Sequence, residues 1–173
     1  MSAESLHVDP PTRRRDALTP VQSSAVKAAL DAHRDTPGAL LPILHAVQGK
    51  IGHIPDAAIA LIAHGLNLSR AEVHGVVSFY HYFRTRPAGR HIVYLCRAEA
   101  CQALGSVALE AHVKERLGID YHGTTSDGAI TLEPVYCLGN CALGPSMMID
   151  QQLHGRVTAE RFDALVAQSR ELP

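Results

Sequence analysis

Residues 96–101 read CRAEAC and residues 137–141 read CLGNC, and these two stretches hold all four cysteines of the 173-residue chain. The spacing is C-x4-C, then 35 residues, then C-x3-C. Two close pairs separated in this way suit a four-thiolate metal site, because each pair can sit on one loop and the fold can bring the loops together. Immediately upstream, His91-Ile92-Val93-Tyr94-Leu95 has the pattern of a buried strand that runs straight into Cys96. Residues 130–136 form a second strand that runs into Cys137. Both pairs therefore follow strand ends.

Outward from the pairs, the segment after Cys101 reads as a helix with Leu104, Val107, Ala108 and Ala111 on one face, ended by Gly118. Residues 125–128 make a turn. Residues 146–149 and 154–157 read as a short hairpin around 150–153, and Thr158 caps a last helix with Phe162, Leu165 and Val166 inward. From residue 90 the order is β-α-β-β-β-α, a small α+β sheet domain. Upstream lies a linker at 84–90, RTRPAGR, and before it a run of helices. Thr19-Pro20 opens the first, with Val21, Ala25, Ala28, Ala29 and Ala32 as its apolar stripe. A second runs through Leu40, Leu41, Leu44 and Val47 to a stop near Gly49. A third follows Pro55 with Ile59, Ile62, Ala63 and Leu66 inward, and a fourth, SRAEVHGVVSFYHYF, starts at the capping-box pair Ser69 and Glu72. The expected organisation is a flexible arm at 1–18, a helical subdomain at 19–86 and a cysteine-bearing domain at 87–173.

The aromatic run Phe79, Tyr80, Tyr82 and Phe83 holds half of the eight aromatic residues. It is expected to form core between the two subdomains, with a contact surface for a partner subunit as the alternative. A net charge of −1 provides no electrostatic case for nucleic acid or an anionic membrane. No apolar run reaches the roughly 20 residues of a membrane span. The first twenty residues have no apolar core for a signal peptide, and the arginines at 13–15 are followed by Asp16. These features lead to the expectation of a cytoplasmic protein without membrane insertion. In that reducing compartment, cysteines more often bind metal or do redox chemistry than form structural disulfides.

Thiolates are soft ligands for zinc, copper(I) or iron–sulfur clusters. Neither pair is the C-x2-C of a zinc knuckle, and a binuclear cluster, with two thiolates on each iron, suits the wider loops. On spacing, a 2Fe–2S cluster, a zinc staple and a thiol redox pair all remain open. Gly139 and Gly144 are expected to take positive φ and turn N–H groups toward sulfur, which stabilises the more negative, reduced cluster. Arg97 and Glu99 are expected to face solvent or a partner. The eleven histidines are scattered without ligand spacing. No P-loop, dinucleotide fingerprint or nucleophile elbow is present, so the chain shows no substrate-converting site of its own.

CRAEAC followed by CLGNCALGPSMMID resembles the thioredoxin-like 2Fe–2S ferredoxin subunits. These include the 24-kDa subunit of respiratory complex I, its counterpart in NAD-reducing hydrogenases and the gamma subunit of NAD-dependent formate dehydrogenases. The likeness covers about residues 20–170. It includes VQGKIGHIP (47–55) and VHGVVSFYHYF (73–83) in the helical part. It implies an N-terminal helical bundle followed by a thioredoxin-like ferredoxin domain, with Cys96, Cys101, Cys137 and Cys141 as ligands of one 2Fe–2S cluster. Through CRAEACQALGS and HGTTSDGAITLEPVYCLGNCALGPSMMID the chain is most similar to the formate dehydrogenase gamma subunit. That resemblance implies an electron-transfer subunit beside a flavin- and NAD-binding subunit. FMN, NAD and a molybdenum or tungsten cofactor would sit on partner subunits, one of them the catalytic formate dehydrogenase subunit. The equivalent subunit of complex I or a hydrogenase is the nearest alternative. A zinc-stapled interaction module without redox activity is the alternative of another class.

Overall fold

The computed structural model describes residues 17–171. Residues 1–16 of the expected arm lie outside the described residues. The chain divides after Pro87 into two compact units.

Among the described residues the first unit contains four helices, α1 (Pro20–His33), α2 (Leu40–Ile51), α3 (Asp56–Leu66) and α4 (Arg70–Phe79). Two of them start in full capping boxes. The Thr19 hydroxyl accepts from the Gln22 N–H at 3.2 Å and the Gln22 side chain accepts from the Thr19 N–H at 3.0 Å. Ser69 and Glu72 repeat the arrangement at 3.2 and 2.8 Å. Each box satisfies two of the orphan amides at a helix start. Val26, Ile43, Leu44, Val47, Ile59, Ile62 and Val73 form a continuous buried core. Buried Gln48 clasps the chain after α4: its amide nitrogen donates to the Tyr82 carbonyl at 2.9 Å and its oxygen accepts from the Arg84 N–H at 2.8 Å.

Three expectations for this unit need correction. The buried face of α1 is Val26, Ala29 and Leu30, while Val21, Ala28 and Ala32 are exposed. The larger side chains choose the face, and the small alanines do not compete. Helix α2 runs through Gly49 and stops at Gly52, which adopts the left-handed conformation at φ 87°. Finally, α4 ends at Phe79, and of the aromatic run only Phe83 is core. Phe79 is 73 % exposed, Tyr82 55 % and Tyr80 43 %.

The second unit holds a four-stranded mixed sheet of β1 (His91–Cys96), β2 (Ile130–Val135), β3 (Met147–Ile149) and β4 (Gln152–His154). The strand order is β2-β1-β3-β4. Helices α5 (Glu99–Ala103) and α6 (Ser106–Leu117) make the crossover from β1 to β2, and α7 (Ala159–Glu171) closes the unit. Strand β1 pairs parallel with β2 and antiparallel with β3. The parallel register sets Cys96 opposite Val135, so both cysteine stretches leave the sheet at the same end. Val93, Leu95, Leu109, Val113, Ile130, Leu132, Met147 and Phe162 form the core. The Thr158 hydroxyl accepts from the Arg161 N–H at 3.2 Å at the start of α7.

The crossover differs from expectation. The helix breaks at Gly105, φ 95°, and α6 starts in a new register. Its buried residues are Ser106, Leu109 and Val113, while Leu104 is 53 % and Val107 61 % exposed. The hairpin is also tighter than expected. Ile149 pairs with Gln152 across a two-residue turn in which Asp150 has φ 53°. Aspartate tolerates that conformation, so the second strand begins two residues early.

Candidate functional site

All four cysteines lie at one end of the second unit. Cys96 is the last residue of β1 and Cys101 lies in α5, both buried. Cys137 follows β2 by two residues and Cys141 opens a single 3-10 turn (Cys141–Leu143), both exposed. None of the four is in a disulfide. The Cys137 and Cys141 sulfurs stand 3.7 Å apart. Cys96 and Cys101 form the other pair, close enough for Cys101 to act on the Cys96 thiol. The backbone of Leu138, inside the second cysteine stretch, lies close enough to the Cys96 thiol to act on it, as does that of Ala98.

The environments differ in a way that affects reactivity. Burial pushes the Cys96 thiol up, the hydrogen bond and charge of Cys101 add to it, and the two backbone amides act against it. The Cys141 thiol is raised mainly by its hydrogen bond with Cys137, with a smaller contribution from burial. Closely placed thiols resist a second ionisation because like charges repel. A metal reverses this by holding the deprotonated sulfurs.

The second loop is held from several sides. Gly139 has φ 73°, as expected, and its N–H reaches the Cys137 sulfur at 3.3 Å. Gly144 does not: its φ is −66°, and it precedes a cis peptide bond to Pro145. What Gly144 provides is room, since a Cβ there would meet the Leu104 Cδ1 at 2.8 Å and the Cys101 sulfur at 3.4 Å. Buried Ser146 accepts from the Asn140 side chain at 3.2 Å and donates to the Asn140 carbonyl at 3.3 Å, while its own carbonyl accepts from the Cys96 N–H at 3.1 Å. The Arg156 N–H donates to the Leu143 carbonyl at 2.6 Å. Gly155 lies so close that a Cβ would meet that carbonyl oxygen at 2.8 Å.

Glu99 is exposed, as expected. Arg97 keeps 40 % of its side chain exposed and is also held, with its Nε donating to Glu110 at 3.0 Å and its guanidinium 5.2 Å from the centre of the Tyr121 ring. Ser146, Asn140, Glu110 and Gly155 carry no signal in the sequence, because their roles depend on chain brought in from other elements. Three histidines hydrogen-bond acidic neighbours, His91 to Asp150, His112 to Asp163 and His122 to Glu133. Among the described residues no three histidine, cysteine or acidic side chains converge on one ion position. The thiols are arranged as two pairs.

This sheet, its crossover and its two cysteine loops define a thioredoxin-like ferredoxin. The profile of the thioredoxin-like 2Fe–2S ferredoxin family matches residues 26–170, and the chain belongs to that family. The family is one of proteins with a single 2Fe–2S cluster. A component of the NADH-quinone oxidoreductase of Escherichia coli (strain K12) is 35 % identical over 149 residues, which cover 86 % of this chain and 90 % of that protein. The corresponding component of a NADH-quinone oxidoreductase of Rhizobium meliloti (strain 1021) is 37 % identical over 145 residues, covering 84 % and 86 %. The crystal structure of an NAD+-reducing NiFe-hydrogenase in the H2-reduced state superposes with a TM-score of 0.66 at 25 % identity over 81 % of this chain. The present chain spans only 23 % of that hydrogenase chain. Among the described residues no helix is long and apolar enough to cross a membrane.

Proposed function

We propose that the chain is the electron-transfer subunit of a cytoplasmic, NAD-linked multi-subunit oxidoreductase, with Cys96, Cys101, Cys137 and Cys141 holding its 2Fe–2S cluster. The observation that carries this reading is the pairing of the four thiols at one sheet end, Cys137 and Cys141 being 3.7 Å apart. A metal with sulfur ligands at about 2.3 Å in a tetrahedron separates them by roughly 3.8 Å, so the pair suits one metal ion. With Cys96 and Cys101 as a second pair at the same sheet end, the set suits two irons better than a single ion. Bound there, the cluster supplies one-electron transfer between partners. The residues of the chain keep it in place and tune it. Gly139 N–H donates to the Cys137 sulfur at 3.3 Å. Such N–H···S bonds favour the reduced, more negative state. Cys137 and Cys141 are the exposed side through which electrons enter or leave.

The partner in this reading is a flavin- and NAD-binding subunit. The assembly is a formate dehydrogenase, which oxidises formate to CO2 at a catalytic subunit carrying molybdenum or tungsten. The resemblance of 96–106 and 122–150 to its gamma subunit supports that choice. The NADH-quinone oxidoreductase and hydrogenase relatives support a second reading, the same role in one of those assemblies. The helical and cysteine-bearing units correspond in this proposal to an assembly part and a cluster part.

Metal content decides the first question. Anaerobically purified protein should contain about two irons and two sulfides per chain and give one S = 1/2 EPR signal after reduction with dithionite. Stoichiometric zinc without iron after iron-replete anaerobic expression would establish the zinc-stapled module instead. The proteins that copurify from the native host, tested for formate-dependent NAD+ reduction, decide between the assemblies.

A further inference from the structure

Arg97 immediately follows Cys96, and its backbone joins both cysteine stretches. Its N–H donates to the Val135 carbonyl at the end of β2 at 2.7 Å, and its own carbonyl accepts from the Gln102 side chain, next to Cys101, at 2.6 Å. Its guanidinium also lies near Tyr136, the neighbour of Cys137. The side chain is held from α6 by Glu110, whose Oε2 takes the Arg97 Nε at 3.0 Å and whose Oε1 takes the Lys114 Nζ at 2.8 Å. Lys114 reaches on to Asp120 at 2.9 Å. Tyr121 lies between the two cations, which are 5.2 and 4.4 Å from its ring centre, and its hydroxyl is buried beside the same carboxylate. The Glu110 side chain is only 18 % exposed. A partly buried carboxylate is favoured as an ion when it is paired and hydrogen-bonded, and here both oxygens are engaged by cations.

A positive charge near a cluster favours the reduced form because that form is more negative, and a negative charge disfavours it. Partial burial weakens the screening of both by water. Resting on the cluster reading above, we infer that Glu110 is a positioning and charge-balancing residue of the iron–sulfur site: it fixes Arg97 beside Cys96 and neutralises its charge. Loss of Glu110 then leaves Arg97 uncompensated and raises the reduction potential. Loss of Arg97 leaves the carboxylate and lowers it. A clamp acting only through loop order would behave differently, since breaking it from either end loosens the same loop and moves the potential the same way.

The experiment is a redox titration of the purified full-length holoprotein, followed by the EPR signal of the reduced cluster. The wild type is compared with Glu110→Gln, Arg97→Gln and Arg97→Lys. The expected result is an upward shift for Glu110→Gln, a downward shift for Arg97→Gln and a potential near wild type for Arg97→Lys, which keeps the charge. Shifts of the same sign for the two Gln variants, or no shift at wild-type cluster content, overturn the inference. If Glu110→Gln does not retain cluster, the arginine pair still decides, and equal potentials for Arg97→Gln and Arg97→Lys overturn it. A wild-type protein without iron overturns the cluster reading itself, before any variant is compared.

Discussion

At the scale of single residues, the site is asymmetric. One thiol pair is sealed in the unit and the other faces solvent. Thiolate fraction and access together control thiol reactivity, and both are low at Cys96, where burial raises the thiol. In reduced, chelator-treated protein, an alkylating reagent should therefore label Cys137 and Cys141 before Cys96 and Cys101. Time-resolved peptide mass spectrometry reads that order, and equal rates for all four would contradict it. Cys137→Ser should leave a cluster that is labile or absent, read as loss of visible absorbance and iron. An unchanged cluster spectrum would remove Cys137 from the ligand set. Gly155 offers a test of the scaffold. A Cβ there meets the Leu143 backbone oxygen and Cβ, each at 2.8 Å, and backbone yields little. Gly155→Ala should cost about 1–3 kcal/mol in denaturant unfolding of the protein.

At the scale of elements, helix starts are local and self-contained. The box of Ser69 and Glu72 uses two side chains three residues apart and needs no tertiary partner. Ser69→Ala should destabilise the protein by about 1 kcal/mol in thermal or denaturant unfolding. Its acid partner sets a pH dependence. The Ser69 backbone N–H, followed by the Ser69 hydroxyl, holds the Glu72 carboxyl below the usual glutamate range. A carboxyl lowered on folding stabilises above its unfolded value and loses that contribution as pH falls through the folded one. The destabilisation caused by Glu72→Ala should thus be present at neutral pH and vanish in strong acid. A penalty independent of pH would mean that the carboxylate charge has no part in the cap.

At the scale of the molecule, each unit has its own core. Ile62 lies fully buried in the helical unit and Leu132 fully buried beneath the sheet. Truncating either to Ala removes buried methyl groups and costs about 2–5 kcal/mol. Only Leu132→Ala should also speed cluster loss, because β2 leads into Cys137. Ile62→Ala should lower stability with the cluster spectrum unchanged. Equal acceleration of cluster loss by both variants would show that the two cores are not separable in function. Along β1, residues 91–96 are legible as a strand because a continuous apolar run has few alternatives. The faces of α1 and α6 are not legible, for a physical reason. Where alanine, valine and leucine surround a helix, apolar character alone does not choose a side. At α6, Gly105 also resets the phase.

Read without its fold, the chain already yields the four-cysteine spacing, the strand ends that carry both pairs, the family and the helix caps. Each depends on residues close together in the chain, or on a motif too specific to arise from composition. Folding in three dimensions settles the rest: which thiol pair is buried, why Gly144 has no side chain, and that Arg97 is bound to Glu110. It also leaves Phe79, Tyr80 and Tyr82 exposed while Phe83 enters the core. Those outcomes depend on what other elements bring to the same place, and the parallel register of β1 and β2 is what brings the cysteine loops together. Local pattern carries no record of that meeting.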